Sequence, residues 1–129
     1  MQTFKKEERL NEKKIIKELF EKGFEFYSSP IKVLWQNVFF ESNYPAKVMI
    51  TVSSRNFRKA TDRNKIKRLI REAYRKNKNI IYEHLQKTSG KIAIILIYSG
   101  KIIIPYSKIE SKIILILQRL VKEHDESIK

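Results

Sequence analysis

The sequence contains no cysteine, few glycines and prolines, and half as many acidic as basic residues. The absence of cysteine excludes disulfides, zinc–thiolate sites and thiol catalysis. With three glycines and three prolines, we expect helices and strands to fill most of the 129 residues. No apolar run approaches the roughly 20 residues that span a bilayer. Met1–Arg9 also lacks the apolar segment of a secretory signal, so we expect a cytoplasmic protein with no membrane partner.

The shortage of acidic residues leaves a large positive charge. Twenty-eight Lys and Arg against 14 Asp and Glu give a formal net charge of +14. A positive field of this size favours polyanionic partners, of which nucleic acid is the first candidate and an anionic membrane surface the second. The alternative explanation is that the charge only aids solubility. The chain has 42% apolar residues and no repeat or linker. It therefore reads as one domain over 1–129, with a core of about 9–123 and short polar tails.

Hydrophobic periodicity predicts the element order α-β-β-β-α-β-α, an α+β single-domain sandwich with helices packed on a sheet. The first helix covers Asn11–Lys22 and ends at Gly23. The predicted strands are 24–27 and 31–38 (two strands or one bent strand), 47–53, and 91–98. The last of these is a short apolar run rich in β-branched isoleucine, which predicts burial on both faces.

Two further helices complete this reading. A long helix runs from Ala60 to at least Lys76, and the apolar residues Ile80, Ile81 and Leu85 can continue its pattern. The final helix is predicted to open with a capping box, in which Ser107 is the N-cap and Glu110 is the third helical residue.

The positive charge is concentrated in Arg55–Lys78, where eleven basic and two acidic residues leave a net nine charges in 24 residues. On the helix, Lys67, Arg71 and Arg75 form a row at i, i+4 and i+8, opposite an apolar stripe of Ile66, Leu69, Ile70 and Ala73. Like charges so spaced repel by roughly 0.2–0.5 kcal/mol per pair, and a bound polyanion would reverse that sign. The alternative is a solvated face with Glu72 pairing Arg68 or Lys76. The predicted RNA-binding residues are Arg55, Arg58, Lys59, Arg63, Asn64, Lys65, Lys67, Arg68, Arg71 and Arg75.

The stretch Phe57–Arg75 resembles the signature of the bacterial ribonuclease P protein subunit. That family has Arg-Asn-Arg, an apolar residue, Lys-Arg, two apolar residues and Arg. This chain has Arg63-Asn64-Lys65-Ile66-Lys67-Arg68-Leu69-Ile70-Arg71. Lys65 replaces the second Arg of the triplet, and Arg58 stands where the family often has glycine. The first helix is also similar, so the resemblance covers about residues 9–123.

The resemblance implies a fold akin to domain 2 of ribosomal protein S5, with a left-handed βαβ crossover. It implies a ribonucleoprotein endoribonuclease in which a catalytic RNA removes the 5′ leader of precursor tRNA. The Mg²⁺ ions are then bound mainly by the RNA subunit and the substrate. We therefore expect the catalytic RNA and precursor tRNA as partners, no catalytic or metal-binding residue in this chain, and no obligate protein partner.

The resemblance further implies a cleft between the first helix and the sheet that takes the single-stranded leader. Aromatic rings stack on bases while cations follow the backbone. Core packing is the alternative for Phe20 and Trp35, and the strand register leaves the choice between Leu34 and Trp35 open. The cleft candidates are Lys13, Ile16, Lys17, Phe20, Lys32, Leu34 and Trp35.

Other functions have less support in the sequence. A structural RNA-binding protein of the ribosomal type would explain the charge equally well. A DNA-binding module would need a dimer or a helical hairpin to position its helix. The acids are scattered, as in Lys5-Lys6-Glu7-Glu8, which indicates a solvated face rather than a two-metal nuclease site. His84 and His124 are interpreted as surface or packing residues.

Overall fold

Four strands and four helices make up most of residues 4–129, the part of the chain that the computed structural model describes. A short 3-10 turn, Lys6–Glu8, precedes them. In chain order the elements are α1 (Lys13–Lys22), β1 (Phe24–Ser28), β2 (Ile31–Asn37), β3 (Ala46–Val52), α2 (Ala60–Asn77), α3 (Asn79–Thr88), β4 (Ile92–Tyr98) and α4 (Tyr106–Ser127). The α+β class is confirmed. The long second helix is divided at Lys78, so the observed order is αβββααβα.

The four strands form one sheet in the order β1-β2-β4-β3. Residues 24–37 form two antiparallel strands joined by a turn at Ser29-Pro30, not one bent strand. β2 and β4 are antiparallel, whereas β3 and β4 are parallel. Adjacent parallel strands need a long crossover connection, which α2 and α3 supply here. The basic segment is therefore the connection between β3 and β4.

Helices cover both faces of this sheet. On one face Ile31, Val33 and Trp35 join the main core, which α2, α3 and α4 complete. On the other face Leu34 and Ile95 pack against Leu19 of α1 in a smaller core. β4 is central and lies between the two cores. The prediction that it is buried on both faces is therefore confirmed.

The end of α1 depends on Gly23 for a steric reason. The Gly23 N–H donates to the Leu19 carbonyl oxygen over 3.0 Å. A Cβ at this position would lie 2.7 Å from the same oxygen. Its φ of −67° is open to any residue, so the close approach to Leu19 and not the backbone angle favours glycine. The predicted end of the helix is confirmed.

The predicted capping box at the start of α4 is wrong. α4 begins at Tyr106 with Pro105 as its N-cap, so Ser107 lies within the first turn. The Glu110 carboxylate accepts a hydrogen bond of 3.0 Å from the Asn77 side chain and one of 3.4 Å from the Tyr106 hydroxyl. Glu110 is therefore hydrogen-bonded to a side chain of α2, whereas the capping-box prediction paired it with Ser107.

Candidate nucleic-acid interface

The basic helix α2 is anchored by its apolar side. Ile66, Ile70 and Ala73 are fully buried, and Leu69 packs against the core while partly exposed. Tyr74 is fully buried as well, which widens the predicted stripe by one residue. This apolar side packs on β3 and α4. The remaining helix surface, which carries the basic residues, is left at the outside of the molecule.

All ten predicted RNA-binding residues reach the surface, and they lie on one loop and one helix. The exposed ones are Arg55, Arg58, Lys59, Asn64, Lys65 and Arg68. The half-buried ones are Arg63, Lys67, Arg71 and Arg75. The half-buried set lies nearer the core along the flank of α2, so its side chains are more restricted than the exposed set. We refer to these ten residues together as the basic surface.

Two members of this surface already have protein partners. Arg63 Nη1 donates to the carbonyl oxygens of Phe57 and Arg58, both at 2.8 Å, and so ties the preceding loop to the start of α2. Arg75 pairs with Glu72 at 2.5 Å. The hydrogen bond from Arg75 holds the pKa of Glu72 below its ordinary value. Glu72 is thus hydrogen-bonded to Arg75, a partner that the solvated-face alternative did not name.

Leu34 and Trp35, the two alternative cleft residues of β2, point to opposite faces of the sheet. Leu34 lies on the α1 face of the sheet, under Leu19. Trp35 lies on the opposite face, is 1% exposed, and donates from Nε1 to Glu123 Oε1 over 2.8 Å. Successive residues of a strand point to opposite faces, so only Leu34 belongs to the α1 side. The proposal of Trp35 as a cleft residue is wrong, and its core-packing alternative is correct.

The α1 helix covers only part of its sheet face. Gln36 Nε2 donates to Glu18 Oε2 at 3.5 Å, so the Glu18 side of the helix faces the end of β2. Helical geometry places Ile16 and Phe20 on the other side. Phe20 is 55% exposed, which contradicts core packing for this ring. The predicted cations Lys13 and Lys17 are exposed on that side of α1.

Beyond that side of α1 the sheet presents a second set of side chains. Tyr27 of β1, Lys32 of β2 and Ile97 of β4 are neighbours in the sheet and share the face of Leu34. Tyr27 is 55% exposed. Lys32 is half-buried and pairs with the exposed Glu25 at 3.4 Å. Tyr27 was not among the sequence candidates. Its exposed ring extends the open region bounded by Ile16 and Phe20.

A buried carboxylate near the N-terminus was also missed. Glu8 is fully buried and accepts from Lys78 Nζ at 2.7 Å and from the Tyr82 hydroxyl in a short hydrogen bond. Burial and the neighbouring Tyr74 hydroxyl and Glu8 carboxylate raise the pKa of Tyr82, so this hydroxyl stays protonated. The solvated-face reading of Lys5-Lys6-Glu7-Glu8 is wrong for Glu8. No local pattern marks a partner 70 residues away.

The two histidines meet inside the fold. His84 Nε2 lies 2.9 Å from His124 Nδ1, and His124 is 1% exposed. Burial, reinforced by the nearby His84, lowers the pKa of His124. Gly90 makes room for the ring, since a Cβ there would lie 2.7 Å from two of its atoms. The interpretation of His124 as a packing residue is confirmed.

Two further findings concern residues 4–129 only. In this part of the chain, no three His, Asp or Glu side chains are grouped so that they could hold a metal ion. None of the helices described there has both the length and the apolar character needed to cross a membrane.

Comparison with known proteins points to one family. A family model described as Ribonuclease P matches residues 4–121. The ribonuclease P protein component of Porphyromonas gingivalis is 34% identical over 82 residues, covering 64% of this chain and 60% of that protein. That of Chlorobaculum tepidum is 49% identical over 47 residues, covering 36% of this chain and 30% of that protein. The chain thus spans about 60% of the length of the first of these curated relatives.

Solved structures agree in fold. The RNase P protein from Thermotoga maritima superposes with a TM-score of 0.68 at 25% identity, covering 87% of this chain and 96% of that one. The Staphylococcus aureus RNase P protein gives the same TM-score of 0.68 at 22% identity, with coverage of 88% and 94%. The second match is evidence of the fold alone.

Proposed function

Because this chain belongs to the ribonuclease P protein family, we propose that it is the protein subunit of ribonuclease P. In this role it acts in the cytoplasm and assists removal of the 5′ leader from precursor tRNA. The catalytic RNA cleaves the phosphodiester bond, and this chain supplies no catalytic residue. The observation that carries the proposal is the family match over residues 4–121, which includes both the basic surface of α2 and the open region beside α1.

The basic surface is suited to the RNA subunit. Arginine forks bind phosphate oxygens in pairs, and lysines add point charges. Arg63 and the exposed Arg68 present donors on one helix, while Arg55 and Arg58 extend them over the loop. Because Arg63 ties the loop carbonyls to α2, both parts of the surface keep one relative position. Pre-ordered donors reduce the entropy lost when RNA binds.

The region beside α1 is suited to the leader of the precursor tRNA. Phe20 and Tyr27 offer exposed rings on which unpaired bases can stack. Lys13, Lys17 and Lys32 place positive charge around those rings. Stacking does not depend on base identity, so a site of this kind accepts leaders of different sequence.

The positive charge of the chain bears on the Mg²⁺ requirement of the complex. Catalytic RNA and precursor tRNA are both polyanions, and cations must reduce their repulsion before they associate. Mg²⁺ bound by the RNA and substrate supplies that screening together with the metal chemistry of cleavage. A subunit with net charge +14 adds fixed positive charge at the same place. The protein should therefore matter most when Mg²⁺ is scarce.

A processing assay tests this proposal. Cleavage of a precursor tRNA is measured with the catalytic RNA alone, the protein alone, and both together, over a Mg²⁺ titration. We expect no cleavage by the protein alone and a marked gain in affinity and rate on adding it to the RNA at low Mg²⁺. Equal activity of the RNA with and without protein at every Mg²⁺ concentration would overturn the proposal. Co-purification of ribosomal RNA in place of one discrete small RNA would favour the ribosomal alternative.

A further inference from the structure

We propose that the N-terminal arm, Phe4–Leu10, and helix α2 form a further RNA-binding groove in which Arg9 and Arg71 hold one backbone phosphate. The inference rests on the proposed function, since it names an additional contact of the same RNA-binding surface. Arg71 was predicted from the helix pattern, whereas Arg9 lies about 60 residues earlier in the sequence. The groove measures about 230 Å³ and lies along the edge of β3. It is lined by Phe4, Arg9, Leu10, Asn11, Val48, Met49, Ile50 and Arg71.

The arm is held in place at its C-terminal half, by contacts of Glu8, Arg9 and Leu10. Its residue Arg9 forms a parallel bridge with Val48 of the edge strand, and the Leu10 N–H donates to the Val48 carbonyl oxygen over 3.0 Å. Behind the bridge, Glu8 is buried in its ion pair with Lys78. Arg9 is thus fixed at the backbone, and its guanidinium lies 5.3 Å from the centre of the Phe4 ring. A cation positioned in this way loses little freedom on binding.

The charge balance in the groove favours an anion. Among the described residues that line it, the two arginines are the only charged ones. Arg71 Nε is buried and makes no hydrogen bond within the described residues. Buried donors are almost always paired, so an unpaired guanidinium N–H beside a second arginine indicates an absent acceptor. A phosphate would supply oxygens to both guanidinium groups and reverse their mutual repulsion.

The position of the groove identifies the anion as RNA. Lys67 and Arg75 flank Arg71 on the same row of α2, so the groove continues the basic surface without a break. The opposite wall, Leu10 and Asn11, leads directly into α1 and its exposed cations. The Asn11 side chain can bond a ribose or phosphate oxygen beside the arginines. The groove therefore joins the surface for the RNA subunit to the region for the leader.

The test compares Arg9→Gln, Arg71→Gln and the double variant with the wild type. Lys6→Gln is the matched control, because Lys6 is an exposed cation of the same arm that does not line the groove. Affinity is measured for the catalytic RNA alone, and then for precursor tRNA with and without a leader in the assembled complex. These three affinity measurements distinguish which RNA supplies the phosphate. Far-ultraviolet circular dichroism establishes that each variant is folded.

We expect each single arginine variant to weaken one of these affinities about tenfold, as for loss of a charge-assisted hydrogen bond. The double variant should lose little more than a single one, because both side chains hold the same phosphate. Lys6→Gln should change affinity far less. An Arg9→Gln effect no larger than that of Lys6→Gln, or losses that multiply in the double variant, would refute the groove. Neither outcome would affect the proposed function, which fails only if the wild-type protein neither binds nor assists the catalytic RNA.

Discussion

At the scale of single residues, Glu8 combines full burial with a position in a run of charged side chains. Its carboxylate is stabilised by Lys78 at 2.7 Å, by Tyr82, and by the Lys5 N–H at 2.9 Å. A buried ion pair need not stabilise a protein relative to apolar residues, but removing one partner leaves an uncompensated charge. Glu8 is therefore the charged residue whose replacement should cost most.

We predict that Glu8→Gln lowers the free energy of unfolding by about 3–5 kcal/mol, because the buried Lys78 ammonium loses its counter-charge. Urea denaturation at neutral pH measures the change. Glu12→Gln is the control, since its pair with Lys47 has a similar distance of 2.9 Å but keeps more solvent contact. That control should cost less than about 1 kcal/mol. Equal losses in the two variants would contradict the role assigned to Glu8.

The His84–His124 pair should make stability depend on pH. Burial lowers the pKa of His124 in the folded state, with His84 adding to the effect and Asp125 opposing it. In the unfolded chain the pKa is about 6.5, so the unfolded state takes up the proton first as pH falls. The contribution of His124 to stability is thus complete above about pH 6.5 and is lost progressively below it.

The corresponding experiment follows the urea midpoint between about pH 7.5 and pH 5 in the wild type and in His124→Gln. The wild type should lose stability as pH falls through this window, whereas the variant should change less steeply. The variant starts from a lower stability because it loses packing, so the slope and not the absolute value is the relevant quantity. Parallel slopes would exclude His124 as the titrating group.

At the scale of elements, α2 combines a buried side with a self-repelling basic side. Ile66 and Ile70 hold the helix against the core, so the row Lys67, Arg71 and Arg75 is kept at the surface despite its repulsion. Arg63 differs from its neighbours because one nitrogen of its guanidinium already binds two loop carbonyls. Its replacement should therefore affect the loop as well as any phosphate contact.

We predict that Lys67→Ala and Arg68→Ala each weaken binding of the catalytic RNA and lower the salt slope of log K by about one. Arg63→Ala should weaken binding further, since the loop carrying Arg55 and Arg58 loses its tie to the helix. Affinity is measured over a salt titration. Lys122→Ala, which removes an exposed charge on α4, is the control and should leave the slope unchanged. If Lys122→Ala lowered the salt slope as much as Lys67→Ala and Arg68→Ala do, net charge alone would govern binding.

At the scale of the whole molecule, topology determines how the two RNA surfaces are related. β3 and β4 are parallel neighbours, so the basic helix must cross over the sheet between them. α1 occupies the other face of the same sheet. The edge of β3 carries the groove proposed above, which the arm and Arg71 line together.

The sequence by itself determined the α+β class, the position of most elements and the basic segment. These features depend on local periodicity and on a contiguous motif, both of which are complete within a few helical turns or one strand. The buried stripe of α2 and the double burial of β4 followed from the same patterns. The surface exposure of all ten basic-surface residues agrees with that reading, while their contacts with RNA stay a prediction.

Only the tertiary structure decided the features that join distant parts of the chain. Trp35 meets Glu123 across 88 residues, Glu8 meets Lys78 across 70, and His84 meets His124 across 40. Period-2 alternation places Leu34 and Trp35 on opposite faces, but only the packed helices reveal which face belongs to α1. Glu110 likewise meets Asn77 of α2, 33 residues away, a contact that the capping-box pattern does not contain. Such contacts form only when the elements pack together, so the local sequence around either partner does not predict them.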